Sequence, residues 1–154
     1  MNKILLAVDG SDSSTKAAKK VAAMFQCLGA EITIITVIKD VDSSAVYDIP
    51  SGMSSTMSVE TMQEIMDQKK EEVRELGREN VEKAAYFFEE MGMDVKKVIR
   101  SGNPADVICD FAQEGDFEMI VLADKGLGGV KRFLLGSISD KVVHHAKTSV
   151  LVVK

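Results

Sequence analysis

Short apolar runs alternate with longer amphipathic stretches along the whole chain. The runs, which predict five strands, are Lys3 to Asp9, Glu31 to Val37, Asp94 to Arg100, Glu118 to Ala123 and Ser149 to Val153. Continuous apolar character, as in the first run, is typical of strands buried on both faces. Because helical stretches separate the strands, the pattern predicts an α/β fold in which helices cover both faces of a parallel sheet.

The stretches between the runs have the period of amphipathic helices. They extend from about Gly10 to Leu28, Val59 to Met91, Asn103 to Gln113 and Ser137 to Ala146. Gly29 is expected to close the first helix as its C′ glycine. The second helix would be roughly 50 Å long at ~1.5 Å per residue, which exceeds the length of a strand. We therefore expect it either to overhang the sheet or to break near Gly77.

One segment interrupts this alternation. Residues 40–58 are rich in Ser, Met and Asp and contain Pro50 and Gly52. Their composition predicts a long, mobile loop. Since no internal repeat is visible, we interpret residues 1–154 as a single domain.

Composition narrows the choice of partners and compartment. The net charge is −5 and the pI about 5.1, which argues against binding to nucleic acid, because phosphate contacts need a concentrated positive field. No apolar run approaches the ~20 residues that span a bilayer, so we expect no membrane partner. Met1 to Ala7 leads straight into polar residues, so we expect no signal peptide, and the two features together predict a cytoplasmic protein. Cys27 and Cys109 are interpreted as reduced core residues.

The glycine-rich stretch after the fourth strand has the features of an anion site. Positive charge is more frequent here, since residues 94–154 carry 9 basic against 8 acidic residues, whereas residues 1–93 carry 10 against 16. The basic residues of the stretch itself are Lys125, Lys131 and Arg132. Its glycines are expected to pass through positive φ and to bring backbone N–H groups close to a ligand; they are Gly126, Gly128, Gly129 and Gly136.

The helix that follows this stretch is predicted to face the same ligand. Ser137 is expected to be its N-cap, with Asp140 completing a pattern like a capping box. The free N–H groups and the positive dipole end of such a helix favour an anion. The hydroxyls of Ser137 and Ser139 are further candidate donors to phosphate. On spacing alone, an ordinary loop followed by a capped helix explains the stretch equally well.

Taken together, these segments resemble the universal stress protein family over nearly the whole chain. The resemblance lies in the opening ILLAVDGSDSS, the second strand ending in Val37, the segment SGNPADVI and, above all, the stretch from Gly126 to Val153. The nucleotide-binding branch of that family carries G-x-x-G, nine residues and then G-[ST]. Gly126, Gly136 and Ser137 match this motif, whereas Ala123 replaces its first glycine.

The resemblance implies an ATP site, a fold and an assembly. It implies a Rossmann-like five-stranded parallel sheet in the order 3-2-1-4-5, and a homodimer through the last strand, Ser149 to Lys154. It implies that Asp9 faces the ribose or a Mg²⁺ ion. The other implied nucleotide contacts are Ala7, Val8 and Val37 to adenine, Gly126, Gly136, Ser137, Ile138 and Ser139 to phosphates, and Leu122, Ala123 and Lys125 lining the loop.

Two function classes follow from these observations. In one, the protein is an ATP-binding regulatory module, with at most slow hydrolysis, whose nucleotide state sets its interaction with an unknown protein partner. In the other, it is a dimeric stress-related interaction protein that binds no nucleotide. The phosphate-loop pattern with Ser137 favours the first class, and Ala123 favours the second. No residue stands out as a general base for vigorous ATP hydrolysis.

Overall fold

The computed structural model describes residues 3–40, 58–127 and 135–154. Most of the predicted loop at 40–58 and residues 128–134 of the glycine-rich stretch lie outside these ranges, and with them the predicted site residues Gly128, Gly129, Lys131 and Arg132. The strands are β1 Lys3–Ala7, β2 Glu31–Ile38, β3 Val95–Ser101, β4 Met119–Ala123 and β5 Ser149–Val153. The helices are α1 Asp12–Phe25, α2 Val59–Glu89, α3 Pro104–Glu114 and α4 Ser137–His145.

The five strands form one parallel sheet in the order β3-β2-β1-β4-β5. This confirms both the predicted fold class and the strand order that the resemblance implied. β1 is the central strand: Leu5 pairs with Thr33 of β2 on one side and with Ile120 of β4 on the other. The chain proceeds from β1 outward to β3 and then crosses back to β4, so the strand order reverses between β1 and β4.

Helices cover both faces of the sheet, and the residues of β1 alternate between the two apolar clusters that the helices close. Ile4 and Leu6 point into one apolar cluster, which α1 and α2 close, whereas Leu5 and Ala7 point into another, which α3 and α4 close. All four side chains are buried. Because successive residues of a strand face opposite sides, a strand between two helix layers must be apolar throughout, as the sequence pattern indicated.

The long helix α2 is continuous, and only its second half packs against the sheet. Its buried residues are Gly77, Val81, Ala84, Ala85 and Phe88. A Cβ atom at Gly77 would lie 3.0 Å from Ile38 Cγ2 and 3.1 Å from Ile99 Cγ2. Gly77 is therefore a point of close approach to the ends of β2 and β3, not a break. Residues 59–76 then extend about 27 Å past this point, at ~1.5 Å per residue.

The structure corrects several sequence-based boundaries. β1 ends at Ala7, not Asp9, because Asp9 enters a turn in which its own carboxylate accepts a hydrogen bond from the Ser11 N–H. α1 ends at Phe25, its last buried residue, and Gln26 is the C-cap, so Gly29 (φ 61°) does not close the helix. The residues between them are exposed, and no burial stabilises a further helical turn.

The cysteine prediction is corrected in the same region. Cys27 follows the end of α1 and is exposed, so its interpretation as a core residue is wrong, whereas Cys109 on α3 is half-buried. Across the described ranges, no helix combines the length and the apolar character needed to cross a membrane.

Candidate functional site

The candidate site lies where β1 and β4 end side by side. Ligands of open parallel sheets bind at the carboxyl ends of the strands, in the crevice where the strand order reverses. Here that crevice receives the turn after β1 (residues 8–11) and the turn after β4 (residues 124–127). Val8, Leu122 and Ala123 are buried beneath it. The topology thus brings together the two segments that the sequence analysis singled out.

Asp9 joins these two turns through its carboxylate. Asp9 Oδ1 accepts a hydrogen bond from the Ser11 N–H at 3.0 Å, within its own turn. Asp9 Oδ2 accepts one from the Leu127 N–H at 3.0 Å, across the crevice. Asp9 does not cap α1, because Ser11 is the N-cap and its Oγ accepts from the Ser14 N–H at 3.1 Å. The carboxylate is therefore the direct link between the two halves of the site.

Neither of the two described glycines of the phosphate-loop motif has an unusual backbone, and Gly126 is needed for a close approach. Neither Gly126 nor Gly136 has positive φ, so the expectation based on backbone freedom is wrong for both. A Cβ atom at Gly126 would lie 2.3 Å from Asp9 Oδ2. The Gly136 N–H donates to the Asp124 carbonyl at 2.7 Å, which holds the start of α4 against the turn after β4. Any larger side chain at Gly126 would displace the Asp9 carboxylate.

The helix α4 begins at Ser137, as the sequence predicted, but Ser137 is not its N-cap. Its N-cap is Gly136, with ψ 152°, a residue that has no side chain with which to cap the helix. Ser137 is instead the first helical residue, because the Asp140 N–H already donates to the Gly136 carbonyl at 2.8 Å. The N–H groups of Ser137, Ile138 and Ser139 precede this first helical bond and have no acceptor within the helix. Together with the helix dipole they favour an anion at this end.

Ser137 and Ser139 have different environments, although both were expected to offer hydroxyls to phosphate. Ser139 is buried, and its Oγ donates to the Ala123 carbonyl at 2.8 Å. Its single hydroxyl proton is thus used within the chain, where it ties α4 to the end of β4, and its N–H is the group left to donate to an anion. Ser137 is exposed, so its hydroxyl lies on the solvent side of the helix start.

Ala123, which replaces the first glycine of the motif, is compatible with the backbone. It is the last residue of β4, pairs with Val153 of β5, and does not have positive φ. Alanine adopts such a conformation without strain. The glycine-to-alanine difference therefore imposes no backbone cost in this chain.

The remaining predicted contacts lie along the same edge of the sheet. Val37 is half-buried near the end of β2, and Ala7 and Val8 are buried at the end of the neighbouring strand. The Val8 N–H donates to the Ile35 carbonyl at 2.9 Å, so the sheet already uses this group. Lys125 is half-buried in the turn after β4.

A single carboxylate is a poor metal site but suits a metal that arrives with phosphates. In residues 3–40, 58–127 and 135–154 there is no group of three or more His, Cys, Asp or Glu side chains that could hold a metal ion. Mg²⁺ is commonly held by one or two carboxylates together with nucleotide phosphates. Asp9 fits that role as one oxygen ligand.

Sequence reasoning missed the contact between Asn80 of α2 and the turn after β1. Gly10 has φ 78°, and a Cβ atom there would lie 2.0 Å from Asn80 Oδ1. Asn80 follows the buried Gly77 by three residues and precedes the buried Ala84 by four, so the helical period places it on the inward face. A polar residue in that apolar stripe is the signal that pointed to it.

Comparison with known proteins identifies the family. The model of the universal stress protein family matches residues 1–154. The universal stress protein YxiE of Bacillus subtilis is 30% identical over 153 residues, which cover 99% of each chain. The universal stress protein MJ0531 of Methanocaldococcus jannaschii is 34% identical over 152 residues, which cover 99% of this chain and 81% of the relative.

Solved structures give the same answer for the fold. The hypothetical protein MJ0577 of M. jannaschii superposes with a TM-score of 0.77 at 25% identity, covering 99% of this chain and 95% of the other. An Archaeoglobus fulgidus universal stress protein solved with dAMP has a TM-score of 0.62 and 21% sequence identity, and the match covers 100% of this chain and 98% of the other. An Arabidopsis thaliana family member solved with AMP has a TM-score of 0.66 and 18% sequence identity, and the match covers 100% of this chain and 92% of the other. The chain belongs to the universal stress protein family.

Proposed function

We propose that this chain is an adenine-nucleotide-binding regulatory module, which takes ATP with Mg²⁺ in the crevice between β1 and β4. The observation that carries the proposal is the Asp9 carboxylate, which bonds to the Ser11 N–H and to the Leu127 N–H across the crevice, each at 3.0 Å. This contact holds the turn after β1 and the phosphate-loop turn in one rigid arrangement. A preorganised site of this kind lowers the ordering cost of binding.

The phosphates are assigned to the start of α4. The N–H groups of Ser137, Ile138 and Ser139 are free of helical acceptors, and Gly126 and Gly136 present no side chain in front of them. Asp9 would contact the ribose or serve as one Mg²⁺ ligand beside the phosphates. Adenine would lie toward β2, against Ala7, Val8 and Val37. The family members solved with dAMP and AMP support an adenine nucleotide as the ligand.

The proposed role is regulatory rather than catalytic. ATP hydrolysis needs a base or a polar group that orients the attacking water. Asp9, the carboxylate that bridges the crevice, has both oxygens engaged by backbone N–H groups, so it is poorly placed for that task. We therefore propose slow hydrolysis at most, with nucleotide occupancy setting the interaction with a protein partner in the cytoplasm.

The proposed assembly is a homodimer through β5. β5 lies at the edge of the sheet, and among the strands that the structure describes it pairs with β4 alone. Four of its five residues are apolar and half-buried, and an apolar edge strand tends to pair with another chain. Pairing of Ser149 to Lys154 with its copy about a two-fold axis would satisfy the free edge. Val152→Glu should convert such a dimer to a monomer in sedimentation experiments, and an unchanged dimer would place the interface elsewhere.

A second candidate function is a nucleotide-free interaction protein. The observation that favours it is again Asp9, because its Oδ2 already occupies the Leu127 N–H, a group that a phosphate would otherwise use. A carboxylate in that position also repels an anion. The two candidates differ in whether Mg²⁺ and the phosphates can share the crevice with Asp9.

Isothermal titration with Mg²⁺ and ATP distinguishes the two candidates. We expect the parent to bind ATP and Gly136→Val to lose binding. A Cβ atom at Gly136 would already lie 3.4 Å from the Asp124 carbonyl oxygen and from Lys125 Cα, so the two further methyl groups would push the turn after β4 away from the start of α4. Ala146→Val is the matched control: Ala146 lies at the other end of α4 with φ −63° and ψ 138°, close to the φ −62° and ψ 152° of Gly136. Equal binding by Gly136→Val and Ala146→Val would place the nucleotide elsewhere.

A further inference from the structure

The turn after β1 is in contact with a second element besides the phosphate loop. The amide group of Asn80, on α2, faces Gly10 directly: a Cβ atom at Gly10 would lie 2.0 Å from Asn80 Oδ1, 2.7 Å from Cγ and 3.2 Å from Nδ2. Only glycine leaves room for this amide, and Gly10 also has φ 78°, a conformation that other residues adopt at a cost. The local geometry thus fits the turn and the helix to each other.

Gly10 lies between the two ends of the hydrogen bond that orients Asp9. The Asp9 carboxylate is on one side of it, and the Ser11 N–H, which donates to that carboxylate, is on the other. A displacement of Gly10 therefore changes the distance between donor and acceptor. It also moves Asp9 Oδ2 relative to the Leu127 N–H across the crevice. Asn80 thus contacts the residue next to Asp9, whose carboxylate accepts both of these hydrogen bonds.

The segment of α2 that carries Asn80 is packed against the rest of the protein. The buried residues Gly77, Val81 and Ala84 of α2 surround Asn80 along the helix, and they pack onto the sheet side of the molecule. Gly77 in particular lies within close contact of the side chains at the ends of β2 and β3. Asn80 therefore presents its amide from a fixed position, whereas Asp9 and Gly10 lie between the last sheet bond, at Val8, and the first bond of α1, which the Ser11 carbonyl accepts from the Thr15 N–H.

We infer that Asn80 is a positioning residue, which holds the Asp9–Ser11 turn in the geometry that nucleotide binding requires. The expected effect of Asn80 on ATP affinity rests on the proposed function, whereas its effect on the geometry of the turn does not. Asn80 touches no nucleotide in this account; it acts through Gly10 on Asp9. The long helix α2 thereby becomes part of the nucleotide site, although it supplies no contact residue.

Two substitutions separate this role from ordinary packing. Asn80→Ala removes the amide but improves helix propensity, since alanine is favoured over asparagine in a helix interior; its melting temperature should therefore not fall. Asn80→Asp keeps the shape of the side chain and should preserve the turn. Glu79→Ala is the matched control, because Glu79 is the exposed neighbour on the same helix. ATP affinity should fall about tenfold in Asn80→Ala and stay within twofold of the parent in Glu79→Ala.

The decisive readout is amide hydrogen exchange of Ser11 and Leu127 in the nucleotide-free protein, which reports the two bonds to Asp9 without any ligand. We expect both amides to exchange about tenfold faster in Asn80→Ala, and at the parent rate in Asn80→Asp and Glu79→Ala. Unchanged rates in Asn80→Ala, or equal acceleration in Glu79→Ala, would overturn the inference. If the parent binds no ATP, the proposed function fails, yet these exchange rates still decide whether Asn80 positions the turn.

Discussion

Removal of the Asp9 carboxylate should destabilise the protein even in the absence of nucleotide. Asp9→Ala deletes an acceptor that takes two backbone N–H bonds of 3.0 Å. A hydrogen bond to a charged group contributes about 1.5–3 kcal/mol when it is well shielded. Since Asp9 is half-buried and the Leu127 end is exposed, we take about 1 kcal/mol for each bond, just below that range, and expect a total loss of about 2 kcal/mol. Asp9→Asn keeps one acceptor oxygen and should lose about half as much.

Thermal unfolding of the nucleotide-free protein measures this loss. For a domain of about this size, 1 kcal/mol corresponds to roughly 2–4 °C in melting temperature, so Asp9→Ala should melt about 4–8 °C below the parent. Asp110→Ala is a suitable control, because Asp110 is an exposed carboxylate on α3; it should melt within about 1 °C of the parent. If Asp9→Ala melts with the control, the carboxylate does not join the two turns, and the rigid crevice proposed above is wrong.

Further predictions concern the hydroxyls and the thiols. Ser11→Ala should lose about 1 kcal/mol, because its Oγ caps α1, whereas Ser137→Ala should lose almost none, since Ser137 is not an N-cap; equal losses in urea unfolding would contradict this assignment. Ser139→Ala should lose about 1–2 kcal/mol in the same assay, because its buried hydroxyl donates to the carbonyl at the end of β4; an unchanged unfolding midpoint would contradict it. Iodoacetamide should label exposed Cys27 well before Cys109, since burial, with Asp neighbours, raises the pKa of the Cys109 thiol; mass spectrometry of the labelled peptides would show the opposite order if this were wrong.

The fold was accessible from the sequence because its determinants are local. Buried parallel strands read as continuous apolar runs, and the alternation of strand and helix restricts the topology to doubly wound sheets. The strand order itself came from the family resemblance, not from the pattern. The ends of elements were less accessible: Asp9 continues the first run in sequence, but its side chain turns back to bond with the Ser11 N–H.

The internal chemistry of the site was less accessible, because it depends on contacts between distant residues. Gly126 leaves room for the carboxylate of Asp9, which lies 117 positions earlier in the chain. No local sequence pattern distinguishes a glycine with this role from a glycine with positive φ. Ser137 has the sequence neighbourhood of an N-cap, yet Gly136 is the N-cap, because its carbonyl accepts the first helical bond, from the Asp140 N–H. Tertiary contacts of this kind decide the roles of residues within a correctly located motif.

The role of Asn80 also depends on a tertiary contact that no sequence motif indicates. Its sequence context is a long amphipathic helix far from any motif, and the contact with Gly10 arises only because α1 and α2 share one face of the sheet. What the sequence does contain is an anomaly, a polar residue at the helical spacing of Gly77 and Ala84. A polar residue on the apolar face of a helix can therefore be examined for contact with the turns that follow neighbouring strands.

Thermal unfolding with and without millimolar Mg²⁺ and ATP, compared with GTP and AMP, tests the central claim most directly. The protein is first shown by its absorbance spectrum to carry no bound nucleotide. A site filled at about a hundredfold over its Kd adds roughly 2.7 kcal/mol, a shift of several degrees at this chain length. The account predicts that shift with ATP and none with GTP. An unchanged melting temperature with ATP would contradict it and favour the nucleotide-free interaction protein.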